Sequence, residues 1–220
     1  MPTAEVWRDM SLPLLLVLAV EIVHTAVPTP PWMRLLSTTV LFGLAVFSVA
    51  NSRPLRIVAG GLLVLAFISR VIFLSTESRG WLIASQVGAA ALFLFTALAL
   101  VPVVHGRGHG RTERLFSALA VYVLLGFVWA YAYSLLDLWR PGAVHFPEDP
   151  ATLGPEHSLG PFRLLYFSFV TLTTVGYGDA TPVLPLARAL AIVEALTGQQ
   201  YLAVTIASLV GGRRAEPSER

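Results

Sequence analysis

The sequence predicts an all-α membrane protein with six transmembrane helices. Of its 220 residues, 55% are hydrophobic and only 13% are charged, and the mean hydropathy is +0.71. Soluble domains typically carry about 25% charged residues. Six apolar stretches can each cross a hydrocarbon core of about 30 Å as a helix, the first two only just. Their approximate bounds are 11–27, 33–51, 55–74, 81–104, 115–139 and 184–210.

The composition also excludes several classes of function. The chain has no cysteine, so it holds no disulfide, thiol nucleophile or thiolate metal site. Its pI of about 9.3 would fit a nucleic-acid binder. However, most arginines lie in short loops between the apolar stretches, where they act as topology signals, so we expect no nucleic-acid partner. The first stretch lacks a basic leader and a small-residue cleavage site, and we interpret it as a retained helix.

The arginine positions predict the orientation of the helices. With the amino terminus inside, cytoplasmic segments contain more arginines than external ones, as the positive-inside rule requires. The cytoplasmic set is Arg8, Arg53, Arg56, Arg107, Arg111, Arg114, Arg213, Arg214 and Arg220, and the external set is Arg34, Arg79, Arg140 and Arg163. Both termini are then cytoplasmic. All basic residues are arginine, which we attribute to bacterial genomic composition, so we expect a multi-pass protein of a bacterial inner or plasma membrane.

The loop before the last apolar stretch contains the most informative motif of the chain. Residues 174–179 read Thr-Val-Gly-Tyr-Gly-Asp. Carbonyl oxygens of consecutive peptide units can replace the water around a dehydrated cation if they all point toward one axis. Such a backbone needs positive φ at alternate positions, which Gly176 and Gly178 adopt without steric cost. The hydroxyl of Thr174 can add a lower ring of oxygens.

This hexapeptide resembles the selectivity filter of potassium channels, and its flanks agree with that family. Residues 161–173 form an apolar segment that is shorter than the about 20 residues of a membrane span. We expect a re-entrant pore helix whose negative dipole end faces the ion path. A long apolar helix follows, and its Gly198 stands where the family commonly has a hinge glycine. The resemblance is specific from about residue 115 to 210 and does not extend over the first 110 residues.

The resemblance implies potassium sites and a tetramer. Because the chain supplies one filter and four strands of carbonyls must surround the ion, four copies are expected to assemble with C4 symmetry. The side chains of Val175 and Tyr177 are expected to pack behind the filter, and Asp179 to stabilise its outer end. The filter residues are Thr174, Val175, Gly176, Tyr177, Gly178 and Asp179, and the first four of these bind K⁺.

Three further side chains are expected to support the filter. Thr173 and Tyr166 lie on the pore-helix side, and Tyr166 stands where the family commonly has a tryptophan. Glu194 lies one turn before the hinge glycine, near mid-membrane, and two alternatives remain for it. Its side chain either turns toward the pore helix, neutral because burial disfavours the anion and bonded to Thr171 or Thr173, or faces the cavity and attracts cations.

The inner helix also carries candidates for the cavity and the gate. Gln199, beside the hinge, is a candidate for the cavity wall. Leu202 and Ile206 are four residues apart and therefore share a helix face. They either close the inner mouth as apolar rings or pack between neighbouring inner helices.

The predicted organisation has three parts. Residues 1–110 form a four-helix peripheral bundle that resembles a degenerate sensor, residues 111–212 form the pore domain, and residues 213–220 form a short cytoplasmic tail. A voltage sensor needs arginines at every third position of its fourth span, but residues 81–104 contain no charged side chain. We therefore expect a channel without the usual voltage gating.

Two charged residues lie inside the predicted bundle. Glu21 and Arg70 are about 15 and 20 Å from the cytoplasmic ends of their helices, and charges within a membrane normally pair. We predict a Glu21–Arg70 pair, with His24 one turn above Glu21. The pair either only holds the bundle together or acts as a small gating charge or a proton-sensitive latch.

Two polar loops are candidates for binding cations and membrane lipids, respectively. The external loop either concentrates cations and senses pH or is a solvated turret; its candidates are His145, Glu148, Asp149, Glu156 and His157. Arginines between residues 105 and 114 either suit anionic headgroups of membrane lipids or serve only as topology signals.

The interpretation that joins these observations is a potassium-selective homotetrameric channel. It is not an enzyme, and it needs no cofactor besides the permeant K⁺. A weakly selective cation channel and a non-conducting partner subunit of another channel are the alternatives. Since the sequence ends about ten residues after the inner helix, we expect no cytoplasmic ligand-binding ring.

Overall fold

The computed structural model describes residues 11–26, 33, 39–40, 43, 53–106, 109–147 and 161–211. In these ranges the chain is mostly helical. The helices are α1 (Ser11–Ala26), α2 (Arg53–Thr76), α3 (Arg79–His105), α4 (Arg111–Trp139), α5 (Pro161–Leu172) and α6 (Pro185–Gly211). Two short strands, β1 (Val144–His145) and β2 (Thr181–Pro182), pair in antiparallel orientation.

Four of the described helices are long and apolar enough to cross a membrane, namely α2, α3, α4 and α6. Helix α1 has 16 residues and α5 has 12, so both are shorter than a span of about 20 residues. The predicted second span at 33–51 lies almost entirely outside the described residues. The described part of the chain is therefore a membrane-spanning, mostly helical protein with four candidate spans, and the prediction of six spans stays a prediction.

Helix α4 lies at the centre of the described structure, where it contacts α1, α3, α5 and α6. Phe127 of α4 packs against Phe93 of α3, with 5.2 Å between ring centroids, and edge-on against Phe169 of α5 at 6.2 Å. Leu14 and Leu18 of α1 are fully buried in the same core. Aromatic packing through α4 therefore joins the first helices to α5, the predicted pore helix.

The segment after α4 is fixed by its own hydrogen bonds. A side-chain oxygen of Asp137 accepts the backbone N–H groups of Gly142 and Ala143 at 2.9 and 3.1 Å. The carbonyl of Ala143 in turn accepts the N–H of Val183 at 2.9 Å. Together with the β1–β2 pairing, these bonds hold the end of α4 beside the segment that follows residues 174–179.

Helix α6 buries one face and exposes the others. The side chains that are buried or half-buried recur every three or four residues, which places them on one helix face. They include Ala187, Ala191, Glu194, Gly198, Tyr201, Thr205 and Ser208. The remaining faces carry large apolar residues, among them Ile192 at 63% and Val210 at 61% exposure. A single chain therefore leaves most of the apolar surface of α6 uncovered.

Candidate selectivity filter

The candidate filter, residues 174–179, has an alternating backbone. Thr174, Gly176 and Gly178 have φ angles of 58°, 57° and 82°, whereas the two residues between them do not have positive φ. Alternation between left- and right-handed conformations turns successive peptide planes so that their carbonyls point to one side. A backbone of this kind can present a column of oxygens able to coordinate a dehydrated cation.

Hydrogen bonds tie the amide side of this column to α5. The N–H groups of Val175 and Gly176 both approach the carbonyl of Val170, at 3.1 and 3.3 Å, and the N–H of Thr174 donates to Thr171 at 2.9 Å. Because these N–H groups face the helix, the carbonyls of the same peptides are free to face the opposite side. The hydroxyl of Thr173 donates to the carbonyl of Phe169 at 2.6 Å, so it stabilises the end of α5.

The lowest residue of the candidate filter is held from α6. The amide nitrogen of Gln199 donates to the hydroxyl oxygen of Thr174 at 3.0 Å. Thr174 is a β-branched residue at positive φ, which is a strained conformation that persists only where surrounding contacts enforce it. Gln199 therefore contacts the candidate filter, whereas from the sequence we predicted only a position in the cavity wall.

The outer end of the candidate filter is held by Tyr166. Its hydroxyl donates to Asp179 at 2.5 Å, and the other carboxylate oxygen accepts the N–H of Ala180 at 2.9 Å. The hydrogen bond from Tyr166, followed by the backbone N–H groups, lowers the pKa of Asp179 because each donor stabilises the anion. Asp179 is exposed in a single chain, and this carboxylate is charged at neutral pH.

One atom at the end of α5, the carbonyl oxygen of Leu172, lies against both α4 and α6. The carbonyl oxygen of Leu172 accepts a hydrogen bond from the hydroxyl of Tyr122 at 3.1 Å. A Cβ atom built at Gly198 would stand 2.2 Å from the same oxygen. Gly198, predicted as a hinge, therefore also lets α6 approach the last turn of α5, and its role as a hinge stays a prediction.

Glu194 lies behind the candidate filter and not in a cavity. It is 0% exposed, with one carboxyl oxygen 2.6 Å from the hydroxyl of Tyr133 and the other 2.6 Å from the hydroxyl of Ser168. The expected partners, Thr171 and Thr173, were wrong. Ser168 lies one turn further from the end of α5, which matches the depth of Glu194 on α6. The cavity-facing alternative is inconsistent with this burial.

Two side chains of the candidate filter are exposed in a single chain, and their expected packing behind the filter stays a prediction. In a single chain Val175 is 53% and Tyr177 is 71% exposed. The described residues of the same chain therefore leave these side chains uncovered.

The gate candidates differ in their surroundings. Ile206 lines a small cleft between the start of α4 and the end of α6, together with Leu115 and Arg111. Leu202 is 42% exposed and does not line that cleft. The assignment of both residues to a gate stays a prediction.

The charges in the first helices converge on α4. Glu21 of α1 and Arg70 of α2 both lie close enough to Tyr131 to interact with its hydroxyl electrostatically. Arg70 also lies over the ring of Phe73, at 5.4 Å from its centroid. A direct Glu21–Arg70 pair stays a prediction, and the side chain of His24 lies outside the described residues, as do Glu148, Asp149, Glu156 and His157.

Sequence reasoning missed Tyr122, Tyr133 and Ser168, whose hydroxyls form hydrogen bonds with α5 or α6 behind the candidate filter. Tyr122 and Tyr133 are eleven residues apart, which is about three helical turns, so they lie on the same face of α4. Ser168 and both tyrosines are polar groups inside apolar helices. Buried hydroxyls need hydrogen-bond partners, and that requirement is the signal that could have singled these residues out.

Comparisons with known proteins fall on this part of the chain. Residues 115–211 match a family model described as "Ion channel". Over 89 residues the chain is 37% identical to "Two pore potassium channel c" of Oryza sativa subsp. japonica, a match that covers 40% of this chain and 19% of that protein. No solved structure matches the chain. These findings support a potassium channel family, and they point to a channel and not to an enzyme.

Proposed function

We propose that this chain assembles as a C4 homotetramer that conducts K⁺ selectively and passively across a membrane. The observation that carries the proposal is the alternation of φ at Thr174, Gly176 and Gly178. It supports a column of carbonyls on one side of the backbone, which is the chemistry that replaces the water shell of K⁺. The matches to ion channels cover the same segment.

In the proposed mechanism, oxygen atoms of the filter replace the water molecules that surround K⁺ in solution. The hydroxyl of Thr174 and the carbonyls of residues 174–177 bind successive ions, and each ring of oxygens combines one contribution from each of four chains. Asp179, held ionised by Tyr166, attracts cations to the outer mouth. The protein moves no proton and breaks no bond, so the ion gradient alone drives the flow.

The surface of a single chain supports an assembly. Val175 and Tyr177 are more than half exposed, and α6 presents several exposed large apolar side chains. Apolar surface of this extent is typical of a protein or lipid interface. In the proposed tetramer, neighbouring pore and inner helices cover these groups.

Gating by voltage of the usual kind is not part of the proposal. Helix α3 has no charged residue between Arg79 and His105, and beyond the first turn of α2 the charged residue is Arg70. Moving charge through the field requires several such residues. We propose cytoplasmic termini and a bacterial inner or plasma membrane on the arginine distribution alone.

The test is recording of purified protein in planar bilayers with K⁺ on one side and Na⁺ on the other. We expect a reversal potential near that of K⁺. Gly176→Ala strains the filter at φ 57° and should abolish conduction, while Gly142→Ala places similar strain at φ 81° in the loop after α4 and should conduct.

The other outcomes identify the alternatives. A reversal potential near zero would indicate a weakly selective cation channel. No current from wild-type tetramers would contradict the proposal and favour a non-conducting partner subunit.

A further inference from the structure

A buried chain of polar groups connects α4, α5 and α6 behind the candidate filter. The hydroxyl of Tyr133 lies 2.6 Å from Oε2 of Glu194, and the hydroxyl of Ser168 lies 2.6 Å from Oε1. The same hydroxyl of Ser168 lies 2.8 Å from the carbonyl oxygen of Gly126. The side chains of Tyr133, Ser168 and Glu194 are each 0% exposed. All three contacts have hydrogen-bond length, so each requires a proton between its two oxygens.

The two hydroxyl groups do not carry enough protons for the three oxygen–oxygen contacts. Tyr133 and Ser168 supply one proton each, and the carbonyl of Gly126 supplies none. If Glu194 were ionised, it could only accept, and Ser168 could satisfy only one of its two contacts. The other contact would then hold two oxygens together without a proton.

A neutral carboxyl group on Glu194 supplies the third proton. Oε2 accepts from Tyr133, Oε1–H donates to Ser168, and Ser168 donates to the carbonyl of Gly126. Every hydrogen bond of this network then has one donor and one acceptor.

We infer that Glu194 holds a proton as a neutral carboxylic acid, and that this proton links α6 through Ser168 to the backbone of α4. The groups around Glu194 also favour the neutral acid. Among the described residues, no arginine or histidine forms a salt bridge with Glu194. The titratable groups that act on it are the phenols of Tyr133 and Tyr122. A buried anion without a cation is strongly disfavoured.

The consequence for conduction rests on the proposed function. Ser168 lies in α5, six residues before Thr174, and α5 carries the hydrogen bonds that orient the filter. Glu194 is therefore a positioning residue, which acts on the filter through Ser168 and α5. Loss of its proton would break one of the two contacts of Ser168 and loosen α5 from α4 or from α6.

Infrared difference spectroscopy of purified wild-type protein and Glu194→Gln at neutral pH tests the proton directly. We expect wild type to show the C=O stretch of a protonated carboxyl group and the variant to lose it. That band should shift in Tyr133→Phe and Ser168→Ala, because each removes one hydrogen bond to the carboxyl. Glu113→Gln, which changes a glutamate in the first turn of α4 whose side chain is 18% exposed, should leave the band unchanged. Loss of a carboxylate band in Glu194→Gln instead would overturn the inference.

Potassium flux tests the positioning role with the same variants. The amide of Glu194→Gln can donate to Ser168 and accept from Tyr133, so we expect its flux to equal that of wild type. Glu194→Leu can do neither, and we expect loss of selective flux. Equal loss in both variants would overturn the positioning role. If wild type conducts no K⁺, the proposed function fails, while the infrared bands still decide the protonation of Glu194.

Discussion

The carbonyl oxygen of Leu172 occupies the space where a side chain at position 198 would begin. A Cβ on Gly198 would stand 2.2 Å from that oxygen and 3.1 Å from the carbonyl carbon and from a side-chain methyl group of Leu172. The contact is with backbone that is already hydrogen-bonded to Tyr122. Helix α6 and the last turn of α5 can therefore approach this closely only with glycine at 198.

We expect Gly198→Ala to destabilise the packing behind the filter. The added methyl group forces α6 away from α5, and overpacking of this kind costs about 1–3 kcal/mol. Thermal unfolding of the purified protein and K⁺ flux both report the effect. The matched control is Gly61→Ala in α2, where a Cβ meets nothing within 4 Å and should be neutral or slightly stabilising. Equal unfolding temperatures for both variants would show that position 198 tolerates a side chain.

We expect Tyr166→Phe to make the outer end of the filter sensitive to milder acid. The hydroxyl of Tyr166 is the main cause of the lowered pKa of Asp179. Because the pKa is depressed in the folded state, the stabilisation from the carboxylate is present above the unfolded pKa. It is lost as pH falls through the folded pKa. Without the hydroxyl that pKa rises toward its ordinary value, and the loss begins at higher pH.

K⁺ flux measured as a function of external pH tests whether the acid-induced loss begins at a higher pH in Tyr166→Phe. Wild type should retain activity to a lower pH than Tyr166→Phe, and Asp179→Asn should show neither transition. Superimposable acid profiles for wild type and Tyr166→Phe would mean that the hydrogen bond does not tune Asp179.

We expect Gln199→Leu to weaken discrimination between K⁺ and Na⁺. The leucine removes the donor that holds the hydroxyl of Thr174, and a net hydrogen bond is worth about 0.5–1.5 kcal/mol. A loss of that size should lower the permeability ratio several-fold. The measurement is the reversal potential with mixed cations. Gln200→Leu, on the neighbouring residue that lines an apolar groove away from Thr174, is the control, and an equal change in both would contradict the assignment.

We expect Arg114→Gln to uncouple α3 from the carboxyl-terminal end of α6. Nε of Arg114 donates to the carbonyl of Val104 at 2.8 Å, and a terminal nitrogen approaches the carbonyl of Ser208 at 3.5 Å. One guanidinium thus joins the end of α3 to the end of the predicted inner helix. Hydrogen bonds to charged groups are worth about 1.5–3 kcal/mol, so its removal should alter the open probability of single channels.

The control for this prediction is Arg111→Gln. Arg111 is exposed and lies on the rim of the cleft beside Ile206, so its removal takes away the same charge without the link to α3. An open probability that changes equally in both variants would attribute the effect to surface charge.

The candidate filter could be predicted from sequence because local chemistry specifies it. Gly176 and Gly178 permit the backbone, and Asp179 follows directly. Thr174 could not be predicted at positive φ, because a β-branched residue adopts that conformation only under contacts from elsewhere, here from Gln199 and α5.

The partners of Glu194 depend on how three helices pack, and spacing along one helix does not supply that information. From the sequence we expected Thr171 or Thr173 as the partner, whereas the rotation of α5 presents Ser168 to Glu194. Tyr133 comes from α4, more than sixty residues earlier in the chain. Apolar length predicted α2, α3, α4 and α6 well, because each is a continuous apolar run, and most of the run boundaries coincide with arginine, proline or glycine.

The alternation of φ along the candidate filter has a stereochemical consequence. Left-handed backbone angles are natural to D-amino acids, and right-handed angles to L-amino acids. The sign of φ therefore alternates from Thr174 to Gly178 as it does in a peptide of alternating D- and L-residues, although every residue here is L or achiral. Glycine fills two of the three mirror-image positions. At the third, Thr174, an L-residue takes the shape of its enantiomer because Thr171 and Gln199 hold it there.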